Sequence, residues 1–134
     1  MIDKTAWIML TVVIIVCTTA WLLWPADAEF KPLNVKVPER LTAEALQGAE
    51  LFKSHCQKCH GADGAGTDQG PPLIHVIYEP SHHSDASFYR AVAQGVTPHH
   101  WPYGNMPALP DVTRKEVSKI IRYVRELQIA NGID

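Results

Sequence analysis

Two thiols and an imidazole fall within one short stretch of this chain, Cys56-Gln57-Lys58-Cys59-His60. Two cysteines separated by two residues, with a histidine directly after them, form the attachment signature for a c-type haem. Each thiol adds to one vinyl group of the porphyrin, and the imidazole that follows falls beneath the iron as its proximal ligand. On one turn of helix, residues at i, i+3 and i+4 share a face, so Cys56, Cys59 and His60 point at one macrocycle. A structural zinc site needs four ligands, usually with a second paired motif, and the remaining cysteine, Cys17, lies far away in an apolar run. A redox dithiol does not require the adjacent histidine. One covalent haem c is therefore the expected cofactor.

The opposite side of such an iron needs a second ligand. Met1 and Met9 are excluded by location, which leaves Met106, in Gly104-Asn105-Met106-Pro107, as the soft thioether able to cap the distal face. His99 and His100, a few residues upstream, compete for that position. A ligating histidine normally donates its second ring N–H to an acceptor such as a carbonyl. Pro71, in Gly70-Pro71-Pro72-Leu73, is the candidate acceptor for His60, against the plainer reading of a turn proline.

The remaining elements must position these groups. Residues 5–24 carry no charge, match the hydrocarbon thickness of a bilayer and have Trp7 at one end and Trp21 and Trp24 at the other. A signal peptide cut after Ala28, at Ala26-Asp27-Ala28, is the competing reading. The apolar run exceeds the ~7–15 residues of such a peptide and its positive flank is weak, so a retained transmembrane anchor over 1–24 is expected. Cys17 follows Val16 rather than a small residue, and reads as a side chain facing lipid rather than a lipidation site. Residues 25–40, with Pro25, Pro32 and Pro38, read as a semi-rigid linker reaching roughly 50 Å at most. The haem domain is placed at 41–134.

Within that domain a helix is expected over 41–52, with Thr42 as its cap, Glu44 in its first turn and Ala45, Ala49 and Phe52 as its apolar stripe. Gly48 inside it costs ~1 kcal/mol against alanine, a loss that close approach of another helix would offset. The glycine-rich run 61–66 reads as a loop. A short helix over 86–94, capped by Ser84 or Asp85, turns Phe88 and Val92 inward and stops at Gly95. Residues 96–112 read as a loop. The last helix opens on the capping box Thr113-Arg114-Lys115-Glu116 and repeats Val117, Ile120, Ile121, Val124 and Leu127 at helical spacing. Arg114, Lys115, Lys119, Arg122 and Arg125 are assigned to its solvated face.

From residue 41 onward the chain resembles the class I monohaem cytochrome c family. The resemblance rests on the Cys56-to-His60 motif, Gly48 and Phe52 before it, Gly70-Pro71-x-Leu73 after it, Met106-Pro107, and Tyr123-Val124 in the last helix. It implies an all-α fold in which the first and last helices of the domain cross around one haem, Gly48 against the Tyr123 region, with His60 and Met106 as iron ligands. Such proteins receive their haem outside the cytoplasm in bacteria, which implies a periplasmic haem domain on the inner membrane. One departure stands out. His75, His82, His83, His99 and His100 crowd the segment between the ligands. They read as surface or haem-edge groups, as a second metal site suited to copper, or as alternative iron ligands.

Twelve Lys and Arg against fourteen Asp and Glu give a net charge of −2. That excludes a nucleic-acid footprint and strong lysine steering toward an acidic partner. No acid–base or nucleophilic constellation argues for an enzyme. The expected function is single-electron transfer within or next to a membrane respiratory or other redox complex. The alternatives are a haem protein with a labile distal site, sensing small ligands or acting as a peroxidase, and a cytochrome that also handles copper through its histidines.

Overall fold

A computed structural model describes residues 3–23 and 30–134. Trp24, Pro25 and the cleavage candidate Ala26-Asp27-Ala28 lie outside the described residues. Five α-helices occur among them: α1 (Lys4–Leu22), α2 (Ala43–His55), α3 (Gln57–His60), α4 (Asp85–Gln94) and α5 (Arg114–Ala130). Single 3₁₀ turns stand at Ala62–Gly64 and Val76–Tyr78. No strand is present among the described residues, and the all-α expectation is met.

The ends of α2 and α5 are set by side chains. Thr42 Oγ1 accepts from the Ala45 N–H at 3.2 Å. Thr113 and Glu116 form a complete capping box, with the Thr113 N–H donating to Glu116 Oε2 at 2.8 Å. Helix α2 runs past Phe52 to His55, because nothing in Lys53-Ser54-His55 breaks it. The two helices cross at Gly48. A Cβ there would sit 2.0 Å from the Lys119 carbonyl oxygen and 3.0 Å from Tyr123 Cβ, so only glycine allows the backbones this close. Around the crossing, Phe52, Val124 and Leu127 are fully buried, each contributing about 1.5–3 kcal/mol. Phe52 meets Tyr123 edge-on at 5.8 Å between ring centroids. Glu126 of α5 accepts from both the N–H and the hydroxyl of Thr42, at 3.0 and 2.6 Å, clasping the start of α2.

One side chain of α5 departs from the sequence reading, and a second was not singled out by it. Arg125 is not on a solvated face. Its guanidinium donates to the carbonyls of Tyr78 (2.7 Å) and His83 (2.6 Å), to Gln128 Oε1 (2.7 Å) and to Asp85 (2.9 Å), and lies over the Phe88 ring. Gln128, buried in the core, donates to the carbonyls of Leu73 (2.9 Å) and Tyr78 (3.1 Å). Together they bind the irregular segment 73–85, whose buried carbonyls need donors.

Residues 30–36 are not free tether. The Leu33 N–H donates to the Ala65 carbonyl at 2.9 Å, and Asn131 exchanges two 2.9 Å hydrogen bonds with the Lys36 backbone. Helix α1 buries no side chain in the protein and is long and apolar enough to cross a membrane. Its hydroxyls at Thr11, Thr18 and Thr19 donate to carbonyls one turn back, leaving none of them unpartnered in an apolar surrounding.

Candidate functional site

Helix α2 ends at Cys56, whose φ of −119° breaks the helical path, and α3 restarts one residue later. The Cys56 carbonyl accepts from the N–H groups of Cys59 (3.1 Å) and His60 (2.9 Å), which sets the motif on one tight turn. The following loop contains the Ala62–Gly64 3₁₀ turn, with Asp63 at φ 53°, and closes where the Gly66 N–H donates to the His60 carbonyl at 2.7 Å. It then returns so that the Pro71 carbonyl meets His60. His60 Nδ1 donates to that oxygen at 2.9 Å, which fixes the tautomer and leaves Nε2 as a lone pair.

Burial lowers the His60 pKa from its ordinary 6.5, the Pro71 bond pulling the other way. The ring is therefore neutral at physiological pH, the form that coordinates metal. Burial, with Cys59 as the smaller cause, pushes the Cys56 thiol up to about 11. A redox dithiol works through an accessible thiolate, a state that burial disfavours at Cys56.

Cys56, His60, Pro71 and Met106 line a single cavity of about 500 Å³, with Phe52 and Ile120 among its apolar walls. That volume suits a bound cofactor. Cys59 is not part of the lining. Its exposed thiol points to Gln69 Oε1, 3.9 Å away. Met106 comes from the loop after α4, and the chain there is less irregular than its prolines imply. Val96 and Met106 exchange two 3.0 Å backbone hydrogen bonds as an antiparallel bridge. Gly95, at φ 76°, lets the helix end lie against the Met106 carbonyl, 2.4 Å from where a Cβ would stand.

One residue that sequence reasoning missed is Trp101. It lines the cavity, and its buried indole N–H makes no well-formed hydrogen bond among the described residues, although the Tyr78 side chain lies near enough to interact with it. A buried donor without a well-placed acceptor calls for a group that brings one. A flat apolar macrocycle with carboxylate arms meets that need, so the residues present fit haem c. The signal for Trp101 was slight, one large aromatic in a Pro- and Gly-rich loop. His75 caps the Val76–Tyr78 turn, its Nδ1 accepting from the Ile77 N–H at 3.2 Å, and packs edge-on against Trp101. His82, His83, His99 and His100 converge on the cavity's rim. There desolvation, then His99, His83 and His82, hold the His100 pKa below its usual value.

A family model described as Cytochrome c matches residues 45–128. The chain is also 28% identical over 110 residues to a protein of Alkalihalophilus pseudofirmus named cytochrome c oxidase subunit 2, covering 77% of this chain and 31% of that one. It thus spans about a third of that relative's length.

Proposed function

The chain belongs to the cytochrome c family, and from that premise we propose that it is a membrane-anchored carrier of single electrons whose haem is attached at Cys56 and Cys59 and ligated by His60 and Met106. Family membership makes covalent haem c the cofactor and electron transfer the activity. The observation that carries the finer reading is the shared cavity. His60, oriented by Pro71, and Met106, pinned by Val96, stand on its walls with Cys56. When bound, haem c supplies a ferric/ferrous couple, and a thioether ligand raises its potential. With His60 and Met106 both holding the iron, no open position would remain for a substrate. Trp101 supplies a hydrogen-bond donor inside the cavity, and Phe52 and Ile120 supply part of its apolar wall.

Helix α1 is the anchor in this reading, with the haem domain at the periplasmic face of the inner membrane. The likeness to part of an oxidase subunit supports a place within or beside a membrane redox complex. The net charge of −2 is consistent with a resident subunit or a carrier serving an immediate neighbour rather than a shuttle steered from afar. Proteins that co-purify from detergent-solubilised membranes identify the neighbour.

The ligand assignment has a direct test. The ferric protein should show the weak near-infrared band of sulfur-to-iron coordination, and the ferrous protein at neutral pH should not bind carbon monoxide. Met106→Ala should abolish the band and open the iron to carbon monoxide. Rapid uptake by the unaltered protein, or a band that survives Met106→Ala, defeats the assignment.

A further inference from the structure

Four imidazoles stand together outside the iron-ligand pair. They come from two adjacent-histidine pairs on two separate segments, His82-His83 before α4 and His99-His100 after it. Neither pair carries an ion pair to a carboxylate among the described residues. We propose that His82, His83 and His100, with His99 beside them, form a second metal site, at the rim of the haem cavity, that takes a divalent late first-row ion, copper(II) in particular.

The distances carry the inference. One ring nitrogen from each of His82, His83 and His100 lies within 4.8 Å of the other two. His82 Nε2 and His100 Nε2 are 3.3 Å apart. Two imidazole nitrogens each about 2.0–2.1 Å from one ion are separated by about 3.3–3.4 Å in a tetrahedral set and by about 2.8–3.0 Å as neighbours in the square plane that copper(II) favours. The pair already stands at the tetrahedral edge length, and for the square plane it needs to close by only a few tenths of an ångström. The ring centroids of His82 and His83 are 4.7 Å apart and those of His99 and His100 are 4.3 Å apart, so His99 stands beside the three histidines whose ring nitrogens converge.

A ligand histidine also needs an outer partner to fix its tautomer and orientation, and two of the four have one. His83 Nδ1 donates to the Ile77 carbonyl at 2.6 Å, leaving its Nε2 as a lone pair. His99 Nδ1 is 3.2 Å from the Thr97 carbonyl. The His83 backbone is itself held by Arg125, whose guanidinium is anchored by Asp85. An all-imidazole set is borderline in softness, and copper(II) stands at the top of the affinity order for such donors. A bound ion would tie the segment before α4 to the loop that continues into Met106.

The test uses the untagged, full-length, haem-loaded protein in detergent, stripped with a chelator and kept ferric. Titration with copper(II) should give one saturable equivalent per chain, with an axial cupric resonance split by several nitrogens. His82→Ala/His100→Ala should weaken that binding by more than about 100-fold, a loss larger than outer-partner mutations cause. The haem absorption and the near-infrared band of that variant should be unchanged, which shows that the fold is intact and that neither histidine ligates iron. Absence of a saturable equivalent, equal affinity in the variant, or loss of the near-infrared band on changing His100 overturns the proposal. The first two outcomes leave the iron-ligand assignment standing, and the third removes both.

Discussion

The α2–α5 crossing and the cavity side of the domain are held by different kinds of force. At the crossing two backbones touch through Gly48, and apolar side chains from both helices fill the space around it. On the cavity side, residues 73–106 contain one short 3₁₀ turn, the ten-residue α4 and two loops. Few of these side chains are fully buried. What fixes them is a small number of polar clamps reaching out from α5, namely Arg125 and Gln128, and the Val96–Met106 bridge. The first region supports itself by close packing. The second is the wall of the cavity, and its hydrogen bonds set positions more than they supply bulk stability.

The sharpest way to break this contrast is Gly48→Val. The added side chain collides with the Lys119 backbone, which has no rotamer with which to yield, so a loss of roughly 3 kcal/mol or more is expected in denaturant unfolding. Gly104→Ala, in the cavity loop with nothing within 4 Å of a Cβ, should change stability by less than about 0.5 kcal/mol. Comparable losses at both sites would erase the distinction. Arg125→Met comes next, at about 2 kcal/mol, because it removes the donor to the His83 carbonyl and one of two donors to the Tyr78 carbonyl, and leaves Gln128 Oε1 without its Arg125 donor. Amide hydrogen exchange should accelerate through residues 76–94 while the centre of α2 stays protected. Uniform acceleration would mean that the clamp serves the whole fold.

A smaller loss than at Arg125 is expected at the clasp, Glu126. Burial tends to raise its pKa, but the Thr42 hydrogen bonds and the Arg122 guanidinium outweigh that and hold it below the ordinary 4.5. A carboxyl whose folded pKa is lowered contributes stability that is complete above its unfolded value and disappears as pH falls through the folded one. Glu126→Gln should therefore cost on the order of 1 kcal/mol at neutral pH. The difference from the unaltered protein should shrink progressively below pH 4.5, followed by thermal unfolding across an acid series. A difference that does not change with pH would assign the effect to packing.

The same contrast explains what could be seen in the chain beforehand. The crossing was legible because its features are local or periodic. The capping box at Thr113 and Glu116 and the stripe from Val117 to Leu127 announce α5. Gly48 drew notice because a helix breaker inside a helix needs a reason. Cys56, Cys59 and His60 announce their chemistry by spacing alone. Arg125 and Gln128 were hidden because their partners are backbone carbonyls in a segment with no pattern of its own, and a charge on a helix is read as solvated by default. A clue existed for Gln128, which continues the stripe 117, 121, 124 and so falls where an apolar residue was due. The linker was misread for a similar reason. Proline and mixed charge describe an extended chain but not the surface along which it lies, here the end of α5 at Asn131 and the loop at Ala65.

The paired Val96 and Met106 backbones close the chain between them into a ring fastened at its neck. Closing a flexible ring costs entropy that grows only as the logarithm of its length, so several extra residues at the tip add only a few tenths of a kcal/mol. Variation in the outer part of that ring can thus proceed without displacing Met106 from the cavity wall. The neck separates the length and sequence of the ring's tip from the placement of the methionine at its base.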